Sequence, residues 1–552
     1  MLRNLSSKFN HIDFERAGWR ILIIILLVMG VFFRWVNIEK KVYWFDETFT
    51  SLRVSGYSLK EVEQELKQKA AKGETISIKE LHKYQHPSSE KNVTNLVNGL
   101  AAEEPQLPPL YFIMLRFWQQ WLGDGVTVRR SLSVIISWLA FPCIYWLCQE
   151  LFGLPLVGWV AMGLIAISPI HLLYAQEVRS YSLWTVTILF ASAAMLRAMR
   201  RGTKLSWGVY ACALALGLYA HALSILVAIG HGLYAIANEG FKFNKVVRNY
   251  LLASGAGILL FLPWIMAIIT NFSKAAQTTN WSKDDVFSLL LFKSWILNIS
   301  RAFFDLNDSF TTKNLSLYLV KAILIILVVY SLYYIVVRTE KKTWLFILTL
   351  IGVTALFLIL PDLILGGKRS SAARYVIPCY LGIQIAVAYM LATKISVKLW
   401  RIALVAVISS GVISCAVISQ KDVWWTKYSS FNIPDVAKII NQADQPLLIS
   451  YGLLPLDLSY LLSPKVKFQL ADSQNIVTTE GKRVNKFFVN SLGNSFSDVF
   501  ILAHNHPASD LVEDLLAKQK TYRLKETYTW KYQSDPVFYS SIRLWKLVKG
   551  VN

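Results

Sequence analysis

The chain is 552 residues long, 54% apolar and only 17% charged, and its 57 Lys and Arg against 35 Asp and Glu leave a formal charge of +22. Soluble domains average about 45–50% apolar and about 25% charged, so a soluble globular enzyme, a disordered chain and a fibre are excluded. The cations mostly flank apolar runs such as ILIIILLVMGVFF (21–33), which assigns them to membrane orientation rather than to nucleic acid.

A membrane span needs about 20 mainly apolar residues. Candidates are 19–38, 130–148, 155–173, 181–199, 205–223, 222–238, 249–271, 315–337, 343–361, 375–393 and 401–419, about eleven spans. Arg3, Lys8, Arg16 and Arg20 place the N-terminus in the cytoplasm. The basic clusters Arg197/Arg200/Arg201/Lys204, Lys242/Lys245/Arg248, Arg338/Lys341/Lys342 and Lys394/Lys398/Arg401 put every second connection on that same side.

Directly after the first span, YWFDETFTSLRVSGY (43–57) sets Asp46 and Glu47 among Tyr43, Trp44, Phe45 and Phe49. Acids at a span's outer end are costly unless they have partners or work, although an interfacial helix with solvated acids and an aromatic belt would read the same. Neighbouring helical residues point about 100° apart, so the two acids face different surroundings. The loop 39–107 carries a charged helical segment near 58–72. Residues 108–122 (PPLYFIMLRFWQQWL) upset the alternation of sides if they cross, so they are expected to lie at the outer surface or to dip in and return.

SPIHLLYAQEVRSYSLW (168–184) bends at Pro169 and gathers His171, Tyr174, Gln176, Glu177, Arg179 and Tyr181 on the side of Asp46; a modest loop ion pair between Glu177 and Arg179 is the plainer alternative. GLYAHALSILVAIGH puts His221 at the outer end of its span, two residues after Tyr219, with His231 deeper among packed helices. ILGGKRSSAARYVIP (364–378) holds Lys368, Arg369 and Arg374 in an outer loop, against the charge rule. Cations there call for an anion, and a phosphate at the bilayer surface suits them; an ordinary surface loop is the alternative. From 421 the composition becomes that of a soluble domain, with helices at IPDVAKIINQ and DLVEDLLAKQK and strands at PLLISYG, KVKFQLAD, DVFILAH and SIRLWKLV. The expectation is an α-helical polytopic membrane domain over 1–420, followed by an external α/β domain over 421–552.

In order, FDE, PPLY, SPIHLLYAQEVRSYSL, GLYAHALSIL and ARYVIP resemble the membrane-embedded GT-C glycosyltransferases of the protein-mannosyltransferase and aminoarabinose-transferase type, in their bacterial branch, over about 19–420. The resemblance implies a GT-C-like fold and inverting transfer of a sugar from a polyprenyl-phosphate donor in the outer half of the cell membrane. Asp46 and Glu47 match the family's acidic pair, Asp46 as base. Glu177 matches its second acid, with Arg179 and Tyr181 following, and Tyr219 with His221 matches its Tyr-x-His. Arg374 with Tyr375 matches its late Arg-Tyr, and Tyr111 of PPLY joins Arg179, Tyr181, Tyr219, His221, Arg374 and Tyr375 as the expected substrate-binding residues. Leu107 stands where the family has a His, a role that His86 could supply. The resemblance makes Arg374, with Lys368 or Arg369, the phosphate clamp. It makes Glu177 an orienting or acceptor-binding acid, and the acceptor a lipid, glycan or protein. A divalent cation on Asp46, Glu47 and Glu177 stays open, since no ligand spacing specifies one. A lipid-linked oligosaccharide polymerase or ligase, and a transporter, are the competing readings. The first lacks an acidic pair after its first span, and the second favours mid-membrane charges and repeated halves.

Overall fold

The computed structural model describes residues 13–307, 314–450, 454–477, 483–489, 496–504, 509–532 and 535–550. The chain divides into two compact units. One comprises Met1–Ile38, Pro105–Tyr111 and Arg130–Gln420, and the other Glu39–Glu104, Phe112–Arg129 and Lys421–Asn552.

The first unit is helical. Among the described residues seven helices are long and apolar enough to cross a membrane: Val126–Phe152, Tyr181–Arg201, Lys245–Thr270, Leu315–Arg338, Lys341–Ile364, Ala373–Thr393 and Lys398–Ser419. Pro155–Ala166 and Pro169–Ala175 make an eighth if the pair, bent by 60°, is one span. This is a multi-pass membrane protein. Ala373–Thr393 is almost wholly buried and forms the centre of its unit, whereas Lys245–Thr270 and Leu315–Arg338 leave most of their surface outward. The remainder of the eleven expected spans are shorter helices or extend into residues outside the described set. Lys204–Ala220 has 17 residues and Ser224–Asn238 has 15, because His221 adopts an extended backbone (φ −159°, ψ 130°) and separates them. Leu110–Leu122 has 13 residues and spans about 20 Å at 1.5 Å per residue, short of about 30 Å of hydrocarbon.

The break before Pro169 has a local cause. Proline has no N–H, so the carbonyl of Ile165 loses its helical donor. The fully buried Arg34 supplies replacements, donating to the carbonyls of Ile165 (3.0 Å) and Ala166 from one guanidinium. Gly30, one turn earlier, allows this approach: a Cβ there would stand 2.6 Å from the Ala166 carbonyl oxygen. Gln384 donates to Ser168 Oγ (3.0 Å), and Ser168 donates in turn to the Ala302 carbonyl (2.7 Å).

The second unit holds a six-stranded sheet: β1 (Ile76–Ser77), β2 (Pro446–Ser450), β3 (Lys467–Leu470), β6 (Asp498–His504), β7 (Tyr522–Tyr532) and β8 (Ser540–Lys549), in the order β1-β3-β2-β6-β8-β7. β2 is parallel to both β3 and β6, and β8 is antiparallel to β6 and β7. β4 (Asp472–Val477) and β5 (Arg483–Phe488) form a separate hairpin. Side chains alternate across the sheet. Leu448, Phe500 and Leu544 face a core shared with Val62, Leu66, Leu81, Val436 and Ile440, while Leu447, Ile449 and Val499 face the helix Ser509–Lys518 through Leu511 and Leu515. The two helices and four strands expected in the tail are present. The sheet also recruits β1 from the loop 39–107, and β4, β5 and β7 are additions.

Candidate functional site

In the second unit the helix Phe45–Ser55 starts at once after Trp44, and its first turn carries both acids. The 100° offset sends them apart. Glu47 is fully buried and pairs with Lys427 at 2.7 Å, with both side chains no more than 1% exposed. Its Oε2 also accepts the Trp44 backbone N–H at 3.4 Å, so Glu47 caps its own helix. Asp46 is half-buried beside it. Asp457, buried in the C-terminal part of the same unit, accepts from Ser430 Oγ at 3.1 Å, and Ser430 Oγ accepts the Phe45 backbone N–H at 3.1 Å. Burial first, and then the charge of Asp46, push the Asp457 carboxyl up to about 8 against the hydrogen bond of Ser430. The far end of the helix is held by Arg116, which donates to the carbonyls of Val54 (2.7 Å) and Ser55 (3.1 Å), and by Arg53, paired with Glu103 and with Glu104 at 2.7 Å. His86, offered above in place of the family's histidine, lies 2.5 Å from Asp124 and 3.0 Å from Arg129.

In the first unit the segment 176–180 links the bent helix pair to Tyr181–Arg201. Gln176 Nε2 donates to the carbonyls of Phe33 (3.1 Å), Arg34 (3.2 Å) and Val36 (3.2 Å), fixing this segment on the end of the first helix. Glu177 is buried, and its carbonyl accepts the Arg179 N–H at 2.8 Å. Tyr111 is fully buried and reaches Ser133 at 2.7 Å, which places it in packing beneath the segment, because Ser133 Oγ donates to the Arg179 carbonyl at 3.4 Å.

Around His221 the structure builds an aromatic cluster. Trp184 stacks on the imidazole at 4.1 Å and 14°, while Tyr181 and Tyr375 each stand 6.3 Å away. Trp281 lies 6.2 Å from Tyr375. His221 Nδ1 accepts the Leu223 N–H at 3.2 Å, which leaves Nε2 as the position for the ring proton. Two guanidinium groups sit on this cluster: Arg179 over Tyr181 at 5.8 Å, and Arg374 over Trp281 (5.3 Å) and Tyr375 (5.4 Å). Both lie within electrostatic reach of His221.

The other two loop cations have carboxylate partners. Lys368 pairs with Asp284 at 2.9 Å and Arg369 with the buried Asp362 at 2.8 Å, which also accepts the backbone N–H and hydroxyl of Ser370 at 2.7 Å each. Tyr219 turns to the neighbouring helix, donating to the Leu260 carbonyl at 3.1 Å. The first unit thus brings Arg179, Tyr181, His221, Arg374 and Tyr375 together, and sets Tyr111, Tyr219, Lys368 and Arg369 in other contacts. Asp46 and Glu47 belong to the second unit. Among the described residues no three His, Cys, Asp or Glu side chains gather as a metal site. Lys427, Asp457, Trp184, Trp281 and Asp362 escaped the sequence reading. For Lys427 and Asp457 a signal existed, namely one charge inside each of the apolar runs VWWTKY and LLPLDLSYLL.

Residues 106–266 match the family described as dolichyl-phosphate-mannose-protein mannosyltransferase. A search of curated proteins gives no sequence match. The fold is similar to that of ArnT from Cupriavidus metallidurans: the apo structure has a TM-score of 0.51, and the structure bound to undecaprenyl phosphate has one of 0.50. Each is 12% identical and aligns over 96% of this chain and 98% of ArnT. Archaeal oligosaccharyltransferase AglB from Archaeoglobus fulgidus aligns over 78% of this chain and 58% of its own, at 12% identity and a TM-score of 0.45. The chain therefore has a GT-C-type fold like that of ArnT, and residues 106–266 of it match the mannosyltransferase family model.

Proposed function

We propose that the protein is an inverting membrane glycosyltransferase. It takes a sugar from a polyprenyl-phosphate donor and passes it to a lipid, glycan or protein acceptor at the outer face of the cell's cytoplasmic membrane, with its N-terminus inside and its C-terminal domain outside. The observation that carries the reading is the pair of arginines seated on the rings around His221. A guanidinium matches the oxygens of a phosphate with its planar array of N–H donors, and a sugar ring offers apolar C–H faces to such aromatic rings. The likeness to a fold solved with undecaprenyl phosphate in ArnT supports the same donor class.

The chemistry needs little else. The acceptor O–H breaks, a new bond forms between its oxygen and the anomeric carbon, and the bond from that carbon to the phosphate oxygen breaks. The electron pair leaves with polyprenyl phosphate, an anion stable enough to need no strong acid. Asp46 takes the acceptor proton, Arg374 binds the phosphate, and Glu177 orients the acceptor. Glu47, bound by Lys427, holds the helix that carries Asp46.

The test is donor affinity and sugar release in nanodiscs for Arg374→Ala beside Arg338→Ala, whose arginine belongs to a cluster explained by orientation alone. Losing a charge-assisted phosphate contact removes about 1.5–3 kcal/mol, so Arg374→Ala weakens donor use about ten- to a hundredfold. Equal effects from the two substitutions would remove the phosphate role.

A further inference from the structure

Within the first unit the guanidinium of Arg374 rests on two rings, and one of them comes from another part of the chain. Its central carbon lies 5.3 Å from the ring centre of Trp281 and 5.4 Å from that of Tyr375, and the two rings stand 6.2 Å apart at 35°. These three nearly equal sides close a triangle, so both rings lie on one side of the guanidinium instead of sandwiching it. A delocalised planar cation suits the negative faces of such rings. Tyr375 follows Arg374 in the chain, whereas Trp281 belongs to the separate turn Asn280–Lys283.

That turn is fastened on the C-terminal side of the indole. Ser282 Oγ donates to the Thr279 carbonyl at 2.7 Å, and the Ser282 carbonyl accepts the Lys368 backbone N–H at 2.8 Å. Asp284 pairs with Lys368 Nζ at 2.9 Å. Gly367 permits the approach: its φ is +130°, and a Cβ there would stand 2.8 Å from the Ser282 carbonyl oxygen. Lys368 thus holds the segment of Trp281 through both its backbone and its side chain.

We propose that Trp281 is a positioning residue for donor binding: with Tyr375 it makes a two-ring seat that fixes the Arg374 guanidinium, so that its N–H donors are set for the phosphate of the lipid donor. This rests on the phosphate role proposed for Arg374. A long side chain without such a seat samples many rotamers, and that freedom is lost again when the phosphate binds. The seat asks for an aromatic face at position 281, not for bulk alone.

The experiment uses the full chain in nanodiscs, with undecaprenyl phosphate as the probe. It compares Trp281→Phe, which keeps a ring, with Trp281→Leu and Trp281→Met, which keep apolar bulk without one. Affinity should fall about three- to thirtyfold in the two non-aromatic variants, the span of one cation–π contact, and stay within about threefold of the wild type in Trp281→Phe. In the Arg374→Ala background Trp281→Leu should weaken binding by less than about twofold, because the partner of the ring is gone. A second readout needs no lipid: the rate at which phenylglyoxal modifies Arg374, followed by peptide mass spectrometry. Modification should be slow in the wild type and Trp281→Phe, and several-fold faster in the non-aromatic variants. If Trp281→Leu and Trp281→Met match Trp281→Phe in affinity and in Arg374 reactivity, or if Trp281→Leu is as harmful without Arg374 as with it, the proposal is overturned. If reactivity changes as expected while neither Arg374→Ala nor Trp281→Leu weakens undecaprenyl phosphate binding, the phosphate role of Arg374 fails and the ring seat stands.

Discussion

Glu47 and Lys427 form an ion pair that water does not reach, and the consequences of breaking it differ from those of losing a base. Removing one partner of a buried pair leaves an unpaired charge and costs about 3–5 kcal/mol. Glu47→Gln should therefore lower the unfolding temperature in detergent, and the double variant Glu47→Gln/Lys427→Met should recover most of the loss. A stable single variant with depressed turnover would instead make Glu47 part of the chemistry. Asp457 gives a pH dependence with a definite sign. Its carboxyl is pushed from 3.8 up to about 8 in the folded unit, so between those values the folded state holds more protons than the unfolded one. Stability must then fall as pH rises through that window, and Asp457→Asn should flatten the fall in thermal melts taken from pH 4 to about 9. Among the loop cations, Arg369→Ala should loosen the loop by leaving the buried Asp362 without its counter-charge, with donor affinity changed far less than by Arg374→Ala.

At the scale of elements, the bent pair Pro155–Ala166 and Pro169–Ala175 shows how one side chain makes a helix break tolerable inside a membrane. Arg34 adds a donor at the Ile165 carbonyl, whose helical donor Pro169 denies, and at the Ala166 carbonyl, so Arg34→Met should destabilise the bend by about 1–3 kcal/mol. The check is the melting temperature in detergent, and an unchanged value would mean that water or lipid takes over. Much of this level was readable beforehand. Pro169 marked the bend, long apolar runs marked the spans, and short apolar runs marked β2 and β6 as buried strands. Arg34 was not readable as a helix-capping group, because its partners lie more than a hundred residues away and a cation at a span's end reads as an interface anchor. β1 was hidden for a related reason. Two residues carry no period, and the pairing of Ile76 with Phe468 is fixed by tertiary contact alone.

For the whole molecule, the basic clusters predict a direction of insertion. A reporter fused after Gly202 should be cytoplasmic, and one after Asn441 should be external, because Lys and Arg gather at alternate connections. A cytoplasmic tail would place Asp46 on the wrong side for a donor displayed outside. The candidate site was legible as residue types, since Asp46, Arg179, His221 and Arg374 each broke a local expectation of polarity or charge. Their surroundings were not, because in one unit Trp281 reaches Tyr375, and in the other Asp457 reaches the start of the helix of Asp46, from distant segments. The account turns most directly on Asp46. Purified protein in nanodiscs, supplied with polyprenyl-phosphate sugars, should release sugar to an acceptor with inverted configuration. Asp46→Asn should cut that turnover by about 10²–10⁴-fold while donor affinity stays within a few-fold. Near-normal turnover in Asp46→Asn, or a wild type that releases sugar from no such donor, would contradict it.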